Sequence, residues 1–233
     1  MRTKRITLFA GHYGSGKTNI AVNYALFLAK QGLRVSLGDL DIVNPYYRAK
    51  DSEKELSAAG VKVISSAYAN SNVDVPAMPQ EAYALTEDKT THAVLDVGGD
   101  DRGALALGRY VPKIREEGDY EMLFVLNKAR PLTRNIDDAL EVFCEIEAAC
   151  ALPFTAIVGN TNLGPLTKPE DVIAGAEFAE QFGRRVGLPV KMICASQKLS
   201  DELQNTVRNF FPINIMQLYY MEKEGTSLGK INL

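Results

Sequence analysis

Ile6-Thr7-Leu8-Phe9-Ala10-Gly11-His12-Tyr13-Gly14-Ser15-Gly16-Lys17-Thr18 lies near the start of the 233-residue chain and decides how the rest is read. The apolar run Ile6–Ala10 predicts a buried strand. Lys17 to Gln31, closed by Gly32 and apolar almost all the way round, predicts a buried helix. Between them every position of the pattern GxxxxGK[ST] is filled, in the strand–loop–helix setting where that pattern has a mechanism. The glycines let backbone N–H groups converge on a phosphate, and the helix adds the positive end of its dipole. In this arrangement Lys17 reaches the β- and γ-phosphates, and the Thr18 hydroxyl can ligate Mg²⁺. The expected nucleotide-binding set is Gly11, His12, Tyr13, Gly14, Ser15, Gly16, Lys17, Thr18 and Asn19.

Outward from this segment, apolar runs alternate with helical patterns. Strands are expected at Arg34–Leu40, Val61–Ser65, Ala93–Val97, Glu121–Leu126 and Thr155–Val158, with Val190–Cys194 as the last core strand. Helices are expected around Ser52–Ala59, Gln80–Thr86, Ala104–Glu116 (despite Pro112), Arg134–Ala149 and Pro169–Val186. A polar loop is expected over Asn70–Pro79, and the apolar run Phe210–Ile215 reads as core packing. Strands alternating with helices give an α/β fold, a mostly parallel sheet flanked by helices on both faces. No repeat, low-complexity tract or linker interrupts it, so residues 1–233 read as a single domain.

Composition removes several classes of function. Lys+Arg 26 against Asp+Glu 29 leaves a net charge of −3 with no basic stripe, which argues against nucleic acid as a partner. Three cysteines, an odd number without a CxxC pair, form no disulfide framework and fit a reduced cytoplasm. Cys144 and Cys150 are six apart on an expected helix and face different ways, while Cys194 reads as a small buried residue. No protein metal site is expected beyond the Mg²⁺ that accompanies a nucleotide. The basic start MRTKR precedes too short an apolar run for a signal peptide. No stretch nears the ~18 apolar residues of a membrane span. The Gly-interrupted, mixed-charge C-terminal segment makes a poor membrane anchor.

A second motif supports the first. Asp96 closes the strand Ala93–Val97, and Gly99 follows at DxxG spacing. A carboxylate there can hold Mg²⁺ directly or through water. A glycine three residues on lets its N–H approach the γ-phosphate and report its loss.

Together these residues resemble the MinD/ParA-type branch of P-loop ATPases. The loop lies near the N-terminus, Asp39-Leu40-Asp41 ends the second strand, and Asp96-Val97-Gly98-Gly99 follows. The resemblance implies a P-loop NTPase fold and an ATP- and Mg²⁺-dependent, weakly hydrolysing switch that acts on a protein partner. It implies that Asp41 positions water or contacts Mg²⁺, with Asp39 as the alternate, alongside Lys17 and Asp96. It also implies that Asn160, after the strand Thr155–Val158, reads adenine; the other reading of Asn160 is a polar turn residue. Many members carry a further lysine directly after the first loop glycine, which reaches the partner's phosphates in a nucleotide-dependent homodimer. His12 stands there in this chain, so such a dimer would need another cation, with Arg48 and Arg102 as positional candidates. Two other functions stay open: a P-loop kinase or ligase phosphorylating a small molecule, for which Arg184-Arg185 is the one adjacent arginine pair, and a non-hydrolysing nucleotide-binding regulator.

Overall fold

Strands covered on both faces gain by being apolar throughout, and β1 (Ile6–Ala10) is buried at all five positions. In the computed structural model, which describes residues 3–40, 52–65, 83–99 and 106–215, β1 leads through the Gly-rich loop into α1 (Lys17–Lys30) and β2 (Val35–Asp39). Next come α2 (Glu53–Ala58), β3 (Lys62–Ser65), α3 (Ala84–Glu87), β4 (His92–Asp96), α4 (Val111–Glu117) and β5 (Tyr120–Leu126). The chain continues through α5 (Ile136–Cys150), β6 (Ala156–Gly159), α6 (Pro169–Val186), β7 (Val190–Ser196), α7 (Ser200–Leu203) and β8 (Phe210–Ile213).

The strands make one eight-stranded sheet in the order β3-β2-β4-β1-β5-β6-β7-β8. Every pairing is parallel. The expected mostly parallel α/β fold is therefore present. Alternation along each strand sends side chains to two cores. On one face, Ile20, Tyr24 and Leu28 of α1 pack on Phe9, Val94, Leu123 and Val125. On the other, Leu8, Leu95 and Phe124 meet the residues of α5 and α6. Phe124 lies at ring-centroid distances of 5.2 Å from both Phe143 and Phe154 and 5.6 Å from Phe182. These contacts fix the C-terminal ends of β4, β1, β5 and β6 side by side, and the loops that leave those ends carry the candidate site residues.

Two expectations need correction. Val190–Cys194 is not the last strand of the sheet, because β8 pairs beyond it in the register Cys194↔Phe211 and Ala195↔Pro212. Pro212 cannot donate to a ladder, but an edge strand needs no donor on its open side. The helix expected over Ala104–Glu116 is replaced by a short turn of helix at 106–108 and a separate α4. Pro112 sits in the first turn of α4, where a missing N–H costs nothing.

At the N-terminal ends of the central strands, Arg5 precedes β1 and is 7% exposed. Its guanidinium makes a two-pronged pair with Glu117 and donates to the carbonyls of Leu85 (3.3 Å), Thr86 (3.3 Å), Asp88 (3.0 Å) and Thr91 (3.1 Å). One side chain thereby satisfies carbonyls at the end of α3 and ties α3, α4 and β1 together. Burial pushes the Glu117 carboxyl up, but hydrogen bonds and charge from Arg5 and Lys89 outweigh it, and the net shift is downward from 4.5. A carboxyl lowered by folding stabilises above its unfolded value, and that stability is lost as pH falls through the folded value. Wild-type stability should therefore begin to drop below about pH 4.5. Glu117→Gln, measured by urea unfolding across that range, should be less stable at neutral pH and show a shallower acid loss. An identical pH slope in the two proteins would refute the assignment.

Candidate nucleotide site

The loop between β1 and α1 is shaped by its own backbone. Ser15 N–H donates to the His12 carbonyl at 3.1 Å, closing a turn. Gly16 then takes φ 96°, a left-handed conformation that favours glycine. Helix α1 starts without a side-chain cap, and such an uncapped first turn suits an anion. Lys17 and Thr18, at its start, are 4% and 5% exposed. His12 turns back on the loop, its Nδ1 donating to the Tyr13 carbonyl at 3.0 Å, while Tyr13 projects into solvent.

Asp96 ends β4 beside the loop strand and is fully buried. Its carbonyl accepts from Leu40 N–H at 2.8 Å, and Val97 N–H donates to Phe9 at 2.9 Å, so the strand end is fixed on both sides. Asp39, 7% exposed, stands opposite Asp96 in the β2–β4 register. Gly99 lies so close to the loop that a Cβ on it would fall 2.2 Å from the Gly11 carbonyl oxygen. The two motifs, separate in sequence, form one backbone contact.

These residues fit a Mg²⁺–nucleotide. Carboxylates ending adjacent strands, next to a threonine and a lysine, are hard-oxygen and cationic groups suited to a divalent ion and phosphate. Ser15 Oγ and Asn160 Oδ1 are buried without a hydrogen-bond partner in the protein. Buried polar atoms are normally satisfied, so a polar ligand is the natural complement.

The remaining expected residues fall in three places. Asn160 is 1% exposed and its Nδ2 donates to the Ser15 carbonyl at 2.7 Å, so its amide braces the loop. The Asn19 side chain accepts from Asn23 at 3.1 Å, and Asn23 in turn bonds the backbone of Asn214 beyond β8. Arg184 and Arg185 occupy the last turn of α6, just before β7 begins. That is the N-terminal end of the parallel strands, whereas the loop leaves the C-terminal end, so the pair is at the wrong end for a lid over phosphates. Asp41, Arg48 and Arg102 lie outside the described residues.

Sequence reading missed Asn127 and Arg130. Asn127, 1% exposed after β5, accepts through Oδ1 from Ala129 N–H at 3.0 Å. Its carbonyl accepts from Thr133 Oγ1 at 2.6 Å and from Arg130 N–H at 3.1 Å. The tight turn delivers Arg130 to the phosphate loop, where its Nε donates to the Gly14 carbonyl at 2.8 Å. The only signal in the sequence was position after a strand; that β5 neighbours β1 had to come from the fold.

This architecture and loop define the P-loop NTPase fold, an α/β nucleotide-binding class. No protein-family model matches the chain. It is 24% identical over 213 residues to the signal recognition particle 54 kDa protein of Methanopyrus kandleri, covering 90% of this chain and 42% of that protein. Among solved structures, the signal recognition particle receptor FtsY from Elizabethkingia anophelis aligns with a TM-score of 0.52 and 21% identity, over 86% of this chain and 62% of that one. FtsY from Thermotoga maritima aligns at 0.56 and 20%, over 84% and 63%. The E. anophelis receptor in complex with GDP aligns at 0.53 and 20%, over 86% and 60%. The chain thus spans under half of the curated relative and about three fifths of the solved ones. These likenesses support the P-loop fold and do not single out the MinD/ParA-type branch. Among the described residues no helix is long and apolar enough to cross a membrane.

Proposed function

We propose that this chain is a Mg²⁺-dependent, weakly hydrolysing nucleoside-triphosphate switch that acts on a protein partner. The observation that carries the reading is the contact between Gly99 and Gly11. It couples the DxxG segment to the phosphate loop, so that a change at the terminal phosphate would be felt by both. Lys17 and the loop amides would hold the phosphates. Thr18 and Asp96 would hold Mg²⁺, with Asp41 or Asp39 near the water. The ion would neutralise phosphate charge, and the protein's part would be positioning. A MinD/ParA-like switch, one domain throughout and cytoplasmic, is the finer form of this reading. His12 leaves the nucleotide-dependent homodimer to be tested by sizing in both nucleotide states.

ATP is the first choice of nucleotide. The loop after β6, Asn160-Thr161-Asn162-Leu163-Gly164-Pro165-Leu166-Thr167, carries amides and no carboxylate. Amides pair with the donor–acceptor edge of adenine, whereas the paired N–H donors of guanine call for a carboxylate. GTP is the second reading, favoured by the likeness to an FtsY structure that holds GDP. Titration with fluorescent ATP and GTP analogues in Mg²⁺, with unlabelled competitors, tests both. Saturable binding with at least about a tenfold preference for ATP, a difference of about 1.4 kcal/mol, is expected. A preference for GTP would install the second reading, and binding of neither would overturn the function.

A further inference from the structure

The loop between β1 and α1 has a neighbouring permanent cation that no motif marks. Arg130 reaches the phosphate loop from β5, across a sequence separation of 116 residues. Its Nε donates to the Gly14 carbonyl at 2.8 Å. The guanidinium also lies against Gly14 itself: a Cβ there would sit 3.3 Å from Nε, 3.4 Å from Cζ and 3.7 Å from Nη2. The approach is set from behind by Asn127, whose carbonyl is held by both Thr133 Oγ1 and Arg130 N–H. The Asn127 side chain also accepts from Asn162 N–H at 3.4 Å, joining the β5 and β6 loops. Among the described residues no carboxylate pairs with Arg130.

A guanidinium is always charged and carries five N–H donors in a fixed fork. With Nε committed to Gly14, its orientation is set and the two Nη groups can serve another acceptor. An arginine fixed at the rim of a phosphate loop, with no carboxylate partner among the described residues, matches the chemistry of a phosphoryl oxygen. We propose that Arg130 contacts the terminal phosphate of the nucleotide bound in its own chain, pre-positioned by the Gly14 carbonyl. This supplies a permanent cation to the loop within one chain, and it rests on the nucleotide reading above.

Arg130→Ala and Arg130→Lys test it against the wild type, using fluorescent ATP and ADP (or GTP and GDP if those bind) and a thermal melt without nucleotide. Arg130 is exposed, so the ligand-free melting temperature should hold. Arg130→Ala should weaken triphosphate binding by at least about tenfold, the scale of one charged hydrogen bond, and leave diphosphate binding within about twofold. Arg130→Lys should recover part of the triphosphate affinity, because it keeps the charge but not the fork. Equal losses for triphosphate and diphosphate would make Arg130 a loop brace only and overturn the proposal. Unchanged affinity for both would overturn it as well. A wild-type protein that binds no nucleotide would instead defeat the parent reading, and this proposal with it.

Discussion

Lys17→Ala is expected to abolish the rise in melting temperature that a saturating nucleotide gives the wild type. Lys17 opens α1 and is 4% exposed; under the proposed function its ammonium would meet the β- and γ-phosphates. A ligand at 100 times its dissociation constant stabilises a folded protein by about 2.7 kcal/mol. Charged hydrogen bonds to phosphate are worth about 1.5–3 kcal/mol each, so losing this donor should remove most of that stabilisation. Phosphate release should fall by about a hundredfold or more, the scale seen when one preorganised electrostatic donor is removed. Thermal melts with and without Mg²⁺–nucleotide, alongside a phosphate-release assay, provide the check. A variant with wild-type thermal shift and turnover would remove Lys17 from the site.

Arg5→Ala should be the most damaging substitution away from the loop, costing about 3–5 kcal/mol, as expected when one partner of a buried pair is deleted. The change leaves Glu117 without its two-pronged partner and strands the carbonyls of Leu85, Thr86, Asp88 and Thr91. Against a typical total of about 5–15 kcal/mol this is a large fraction. Urea unfolding should show a lower midpoint with an unchanged slope. Arg5→Lys should fall between, since an ammonium cannot serve the carboxylate and the carbonyl cluster at once. A cost for Arg5→Ala below about 1 kcal/mol, the value of a surface pair, would contradict the packing described.

The sequence was most legible where structure is local. Ile6 to Thr18 could be read directly because a strand, a glycine loop and a helix start are all encoded within a few residues. Most other strands were legible because a parallel sheet covered on both faces favours clusters of apolar, often β-branched residues. Phe210–Ile213 escaped since a proline ordinarily argues against a strand, and only its place at the sheet edge makes Pro212 harmless. Arg5 read as one of several basic residues at the chain start; its burial depends on residues from 85 to 117 that meet it only in the fold. Arg130 was invisible for the same reason. Asn160 was picked out by its position after a strand, but the hydrogen bond that holds Ser15 is a matter of sheet order.

The position of β1 also bears on when the protein becomes competent. Its two neighbours in the sheet are β4 and β5, and neither exists when Ile6–Ala10 leaves the ribosome. At about 5–20 residues per second, roughly 4–17 s separate the synthesis of Ala10 from that of Asp96. The braces of the loop come later still, at Arg130 and Asn160. A nascent chain thus carries its glycine-rich loop early but lacks the frame that shapes it. Nucleotide affinity should arrive abruptly, once translation has passed the sixth strand.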